Sequence, residues 1–226
     1  DTFDECVKLI ECIRRKSGDR YFIKKHGDVT YSIPDGEALV EFCSRLKNEP
    51  QRLKDEMEAA VAAQLRQAEH YRQSGGLDGF ALCSDYCSNR GPFLSPQQFG
   101  EFVIPYLTQL IQGYRELGFY VIKHTDGNIM PILDQLVEAN PHALHSLDPQ
   151  AGVDIAEVKQ RCGNRLCLIG NVNCGVLDAG SEGDVIESTR YALRHGMPGG
   201  GYIFSTSNCI YTGMPLVKYE LMLEVW

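Results

Sequence analysis

The sequence has no run of basic residues, and its 22 Lys and Arg against 30 Asp and Glu leave a formal charge of −8. Proteins that grip a phosphate backbone concentrate positive side chains on one face, so no nucleic-acid partner is expected. No apolar stretch reaches the roughly 18 residues of a membrane span, and residues 1–30 lack the charged, apolar and small-residue order of a secretion signal. No membrane partner is expected either. The nine cysteines are odd in number and form no paired C-x-x-C framework, which points to reduced thiols in a cytoplasmic protein. Most of them, Cys83, Cys162 and Cys167 included, read as small buried hydrophobes. Cys209 is set apart by lying beyond the last predicted strand.

What is present is a globular composition. With 226 residues, 43% hydrophobic and 23% charged, the chain can bury one sizeable core, so residues 1–226 are read as a single domain. Short β-rich runs alternate with longer helical patterns, the signature of consecutive βαβ units and a parallel sheet. Six strands are predicted, at Tyr21–Lys25, Gly79–Ser84, Phe119–Lys123, Ala143–Leu147, Leu166–Ile169 and Tyr202–Phe204. Helical segments fill about Asp35 to Gln73. Phe99, Phe102, Val103, Tyr106, Leu107, Leu110, Ile111, Tyr114 and Leu117 fall on one stripe of a helix that Pro105 should kink. Further helices are predicted at about Ile129–Ala139, Ile155–Arg161, from Ser181 to Gly196, and from Pro215 onward.

Phe3, Val7, Ile10 and Ile13 have helical spacing, so the chain opens on a helix with no strand ahead of it. A closed barrel of eight parallel strands typically takes about 250 residues. Six strands in 226 residues therefore predict either an open barrel or the later part of a longer chain. Unpaired edges would favour self-association.

In such a barrel the chemistry sits where strands end. His124-Thr125-Asp126-Gly127 leaves the third strand, and its H-x-D spacing in extended backbone sends both side chains to one face. They are candidates for binding one cation or for moving a proton. Imidazole and carboxylate both suit zinc, and a Cys209 thiolate would give three protein ligands with one open position. Asp85 and Tyr86 end the second strand and are candidates for orienting substrate, although Asp85 also suits a loop-capping role. Asn171, after Gly170 on the fifth strand, and Asn208, before Cys209, are candidate substrate contacts. His142 and His145 read as structural or surface groups. Asp148 suits either the site or an Asx turn. Gly199-Gly200-Gly201 lacks the Lys-Ser/Thr of a phosphate-binding loop and precedes a strand, so it is not read as one.

Taken together, Ser95-Pro96-Gln97-Gln98-Phe99, His124-Thr125-Asp126-Gly127, Ile169-Gly170-Asn171, Gly200-Gly201-Tyr202-Ile203 and Asn208-Cys209-Ile210 resemble the uroporphyrinogen decarboxylase superfamily, from about residue 20 to the C-terminus. The resemblance implies an α/β fold of (β/α)8 TIM-barrel type, here with about six βα units. The superfamily contains the haem-pathway decarboxylase and zinc-dependent methyltransferases that act with corrinoid proteins. Its decarboxylases carry a Gly-His-Gly turn where Ser207-Asn208-Cys209 stands here, and they take an arginine and an aspartate from strands with no counterpart in this chain. Cys83-Ser84-Asp85 matches their Phe-Asp/Glu-Ser run loosely. Its methyltransferases hold zinc with an H-x-C pair and a later cysteine. Here Asp126 replaces the first cysteine, and Cys209 lies close to the later one.

The expectation is a diverged methyltransferase with zinc on His124, Asp126 and Cys209, a small-molecule substrate and a corrinoid-protein partner. A harder ligand set weakens thiolate-style activation and keeps Lewis-acid polarisation. The alternatives are a tetrapyrrole decarboxylase of porphyrin biosynthesis, with Asp85 on the pyrrole nitrogens and His124 aiding protonation, and a non-catalytic barrel fragment.

Overall fold

The computed structural model describes residues 2–226. Helix α1 (Phe3–Ser17) begins at a capping box, the Thr2 hydroxyl accepting from Glu5 N–H while the Glu5 carboxylate accepts from Thr2 N–H. Its Arg14 ties the helix to the Gly76 carbonyl and to Asp78, just ahead of the second strand. Strand β1 (Lys24–His26) is followed by α2 (Gly36–Asn48) and α3 (Pro50–Ser74). The helical region splits at Glu49 because the proline after it crowds an αR conformation, and Glu49 sits at φ −134° instead.

Strand β2 (Gly79–Cys83) leads to a short antiparallel hairpin, β3 (Cys87–Ser88) with β4 (Gly91–Pro92). Only a Ser, Asn and Gly content that suits turns marks this hairpin locally. Where one kinked helix was predicted there are two, α4 (Pro96–Phe102) and α5 (Ile104–Glu116), separated by Val103 at φ −120°. Pro105 lacks the N–H that would continue the ladder and its ring crowds the carbonyl four residues earlier, so the chain starts a new helix. The apolar stripe survives the break. Phe99, Phe102, Val103, Leu107, Leu110, Ile111 and Tyr114 are buried, and Tyr114 stacks on Phe80 with ring centres 4.0 Å apart.

Strand β5 (Tyr120–His124) exits through a 3₁₀ turn at Met130–Ile132 into α6 (Leu133–Glu138). Strand β6 (Ala143–His145) is followed by α7 (Ile155–Cys162), capped by the Asp154 carboxylate on Ala156 N–H. Strand β7 (Cys167–Val172) is followed by α8 (Cys174–Ala179), which was not predicted, and α9 (Glu182–Gly196), which starts at a capping box of Ser181 and Asp184. Strand β8 (Tyr202–Thr206) and α10 (Leu216–Val225) complete the chain.

The six long strands form one parallel sheet in the order β1-β2-β5-β6-β7-β8. Each strand lies beside the next in sequence, as in a (β/α)8 barrel, but β1 and β8 are edges and the sheet stays open. Side chains alternate across it. Phe80, Leu82, Val121, Leu144 and Leu168 face the helices and are buried. Gly79, Ala81 and Cys83 share the concave face with Tyr120, Ile122 and His124, their partners in register. Tyr120 is 57% and Ile203 51% exposed on that face, because an open sheet cannot fill its interior as a closed one does. Cys162 is buried as predicted and Cys167 is partly buried. Cys83, the last residue of β2 on the open face, is exposed, contrary to the sequence reading. No helix among the described residues is long and apolar enough to cross a membrane.

Gly127 carries the turn out of β5. Its φ is +80°, and a Cβ there would lie 2.5 Å from the Cys87 carbonyl oxygen and 2.6 Å from that of Ser88. Only glycine fits both constraints. Gly127→Ala is expected to destabilise the protein by more than about 1 kcal/mol in urea denaturation, since both conformation and space oppose the methyl group; wild-type stability would refute this account of the turn.

Candidate functional site

His124 is the last residue of β5, and its ring lies at the rim of the concave face. Thr125 turns inward, where its hydroxyl accepts from Tyr86 N–H at 3.0 Å. Asp126 turns back to the rim. Its N–H donates to Asp85 Oδ1 at 2.9 Å, and Asn128 N–H donates to the Ser88 carbonyl at 2.9 Å. The β5 exit is thereby stitched to the β2 exit and its hairpin. His124 Nε2 lies 3.6 Å from Asp126 Oδ1 and 3.8 Å from Asp85 Oδ1. One ligand atom from each of Asp85, His124 and Asp126 falls within 4.8 Å of the others.

Each member of this group is aimed by a neighbour. Asp126 Oδ1 accepts from the Ser146 hydroxyl at 2.7 Å, and Oδ2 accepts from the Asn208 amide at 2.6 Å. His124 Nδ1 meets His145 Nδ1 at 2.7 Å, a contact that follows from register, since the two histidines are paired across β5 and β6. Burial, with the adjacent His124 ring adding to it, pushes His145 down to about 4. Burial also lowers His124, against the pull of Asp126 and Asp85. Burial thus disfavours the charged form of both rings, and the Nδ1 contact is a hydrogen bond in which one ring donates and the other accepts. When His124 is the donor, its Nε2 lone pair faces the two carboxylates, which is the tautomer a metal ligand needs.

Beside the group opens a cavity of about 470 Å³ walled by Asp126, Asp148, Cys174, Asp178, Asn208 and Cys209 among others. The loops after β2, β5 and β8 do converge on one rim. Asp148 takes both of the roles open to it, capping Gln150 N–H at 3.0 Å and facing the cavity; burial raises its carboxyl above the ordinary 3.8.

Three expectations are corrected by this geometry. Tyr86 does not face substrate: it is 4% exposed, and its hydroxyl is 2.5 Å from that of Thr30, because it lies on the opposite side of the chain from Asp85. Asn171 is 5% exposed and its amide donates to the Leu147 carbonyl at 2.9 Å; it lines a separate cavity with Asp154 and Tyr191. Cys209 is exposed on the wall of the first cavity but outside the three-ligand group, where Asp85 stands instead.

His145 was read as structural and in fact contacts His124. Ser146 and the pair Lys123 and Asp28 were not singled out at all. Lys123 and Asp28 both have fully buried side chains, with Nζ 2.8 Å from Oδ2. Nζ also donates to the carbonyls of Leu82 and Ser84 at 3.2 and 3.1 Å and sits 4.2 Å from the centre of the Tyr86 ring. Asp28 Oδ2 accepts from Ser84 N–H at 3.1 Å. Both peptide groups of Ser84 are thus fixed from below, which sets where Asp85 emerges. The signal that was available is strand alternation, which puts Lys123 on the same face as the apolar Phe119 and Val121, where a lysine is buried only when paired.

A model of the family described as uroporphyrinogen decarboxylase (URO-D) matches residues 35–226. Among curated relatives, the uroporphyrinogen decarboxylase of Trichodesmium erythraeum (strain IMS101) is 32% identical over 115 residues, covering 46% of this chain and 29% of that protein. That of Thioalkalivibrio sulfidiphilus (strain HL-EbGR7) is 26% identical over 144 residues, covering 59% and 38%. Among solved structures, a methyltransferase from Methanosarcina mazei superposes with a TM-score of 0.77 at 21% identity, over 97% of this chain and 62% of that one. The last is a likeness of fold. The matched segments span about a third of the curated relatives' length and less than two thirds of the methyltransferase.

Proposed function

Because the chain belongs to the uroporphyrinogen decarboxylase family, we propose that it is a diverged methyltransferase of that family, with zinc on Asp85, His124 and Asp126 and a corrinoid protein as partner. The observation that carries the reading is the convergence of those three ligand atoms within 4.8 Å on one rim. The donor set fits the ion: one imidazole nitrogen and two carboxylate oxygens give three protein ligands and leave a position for substrate. Asp85, 49% exposed at its side chain, keeps one flank of the group open. Zinc bound there supplies Lewis-acid polarisation of a thiol or a methyl-ether oxygen.

The chain's own residues do the rest of the positioning. His145 orients the His124 ring through the 2.7 Å contact between their Nδ1 atoms. Asn208 and Ser146 hold the two oxygens of Asp126. The cavity beside them takes a small molecule, and Asp126, Asp148 and Asp178 on its wall favour a neutral or cationic one.

The two curated relatives favour a second reading, decarboxylation of a tetrapyrrole. Its polycarboxylate substrate would meet those three aspartates, which repel like charge. Elemental analysis of protein purified without added metal separates the readings. About one zinc per chain, with methyl transfer to or from a free cobalt corrinoid, supports the first. Metal-free protein that releases CO₂ from a tetrapyrrole overturns it.

A further inference from the structure

The Ser146 hydroxyl reaches its partners from a backbone conformation that L-residues avoid. Ser146 follows the last residue of β6, is fully buried and has φ +97°, and Leu147 after it has φ +53°. Residues stay in such regions only where their surroundings over-determine them. Two neighbours do so here. Gly170 leaves space that its own Cβ would fill 2.7 Å from the Ser146 carbonyl oxygen. The buried Asn171 amide holds the Leu147 carbonyl.

The corner brings Ser146 Oγ to 2.7 Å from Asp126 Oδ1 and 2.7 Å from the Ser207 carbonyl oxygen. A hydroxyl has one proton, so it donates to one acceptor at a time, and a carboxylate is the stronger acceptor of the two. Oδ1 is also the Asp126 oxygen nearest His124 Nε2, while Oδ2 is occupied by Asn208.

We propose that Ser146 is a positioning residue, and that the strained β6 corner serves to aim its hydroxyl at Asp126 and fix that carboxylate as a cation ligand. Without the hydroxyl, Asp126 keeps Asn208 alone and can turn about its terminal bond. The inference rests on the zinc reading for the identity of the ion and on geometry for the rest.

The test compares Ser146→Ala with Ser146→Gly. Both lose the hydroxyl, and both are expected to weaken zinc binding about 10–100-fold in competition with a chelating dye, the usual effect of losing an outer partner of a ligand. They should differ in stability. Glycine adopts φ +97° freely and alanine does not, so the glycine variant should melt about 2–4 °C above the alanine variant, the shift that relief of modest backbone strain gives a chain of this size.

Wild-type zinc affinity in Ser146→Ala would overturn the positioning role. Equal melting of the two variants would overturn the strained corner. Should the wild-type protein itself take up no zinc, the zinc reading fails and the Asn208 side-chain amide resonance decides for Ser146. A resonance moved in both variants supports positioning of Asp126, and an unmoved one overturns it.

Discussion

Lys123→Met is expected to cost about 3–5 kcal/mol of folding stability at pH 7, the range seen when one partner of a buried ion pair is removed. The Asp28 carboxylate would be left at zero side-chain exposure with its ammonium gone, and the carbonyls of Leu82 and Ser84 would lose a donor. Asp28→Asn combined with Lys123→Met removes the uncompensated charge, so the double variant should be more stable than Lys123→Met alone. The pH dependence has a definite sign. In the wild-type protein burial tends to raise Asp28, but the charge and hydrogen bond of Lys123, with help from Thr30, outweigh it and hold the carboxyl below its ordinary 3.8. A depressed folded-state value contributes stability that is present above the unfolded value and is lost as pH falls through the folded one. Without Lys123 only the hydrogen bonds from Thr30 and Ser84 oppose burial, so the carboxyl rises and acid relieves the variant. The stability gap should therefore narrow from pH 7 toward pH 4. Urea denaturation across that range checks both parts; a gap below about 1 kcal/mol at pH 7 would mean that the pair contributes little beyond its own desolvation.

The second large effect separates the observed ligand group from the predicted one. Asp85→Ala, His124→Ala and Asp126→Ala should each lower zinc affinity by more than the roughly 10–100-fold typical of an outer-shell loss. Cys209→Ser should leave it within a few-fold of wild type, since its side chain stands outside the group. Equilibrium dialysis against zinc, with folding checked by circular dichroism, reads all four. Loss of zinc in Cys209→Ser together with retention in Asp85→Ala would restore the ligand set inferred from the H-x-D…C pattern.

The contrast between those sets marks how far the sequence was legible. Period-2 and period-3.6 patterns located all six strands of the parallel sheet, because alternation of apolar residues reports directly on which face is buried. Pro105 is legible as a kink and the Glu49-Pro50 step is not read at all, yet both separate two helices rather than bend one. The breaks depend on whether neighbouring packing tolerates a lost hydrogen bond, which local sequence does not record. At the site, strand-end position placed Asp85, His124, Asp126 and Asn208 together, and the four do meet at one rim. Contacts that depend on register across strands were not visible. His145 was placed in mid-strand because the strand was extended to Leu147; it is in fact the terminal residue, level with His124. Tyr86 was grouped with Asp85 by adjacency, although neighbouring residues point to opposite sides. Ser146 gave no signal at all, since a positive φ at a serine is imposed by Gly170 and Asn171 rather than by its own preference.

The two sides of the rim differ in how they are fastened. Between β2 and β5 one main-chain bond joins Asn128 N–H to the Ser88 carbonyl, and a second bond runs from Asp126 N–H to the Asp85 carboxylate, so the two carboxylates are held as one block. Across the opening, Asn208 reaches that block only through its side chain, and its own peptide nitrogen rests on the Cys174 sulfur. The β8 side is therefore the more lightly tethered half of the rim, and the Asp85 half the firmer one.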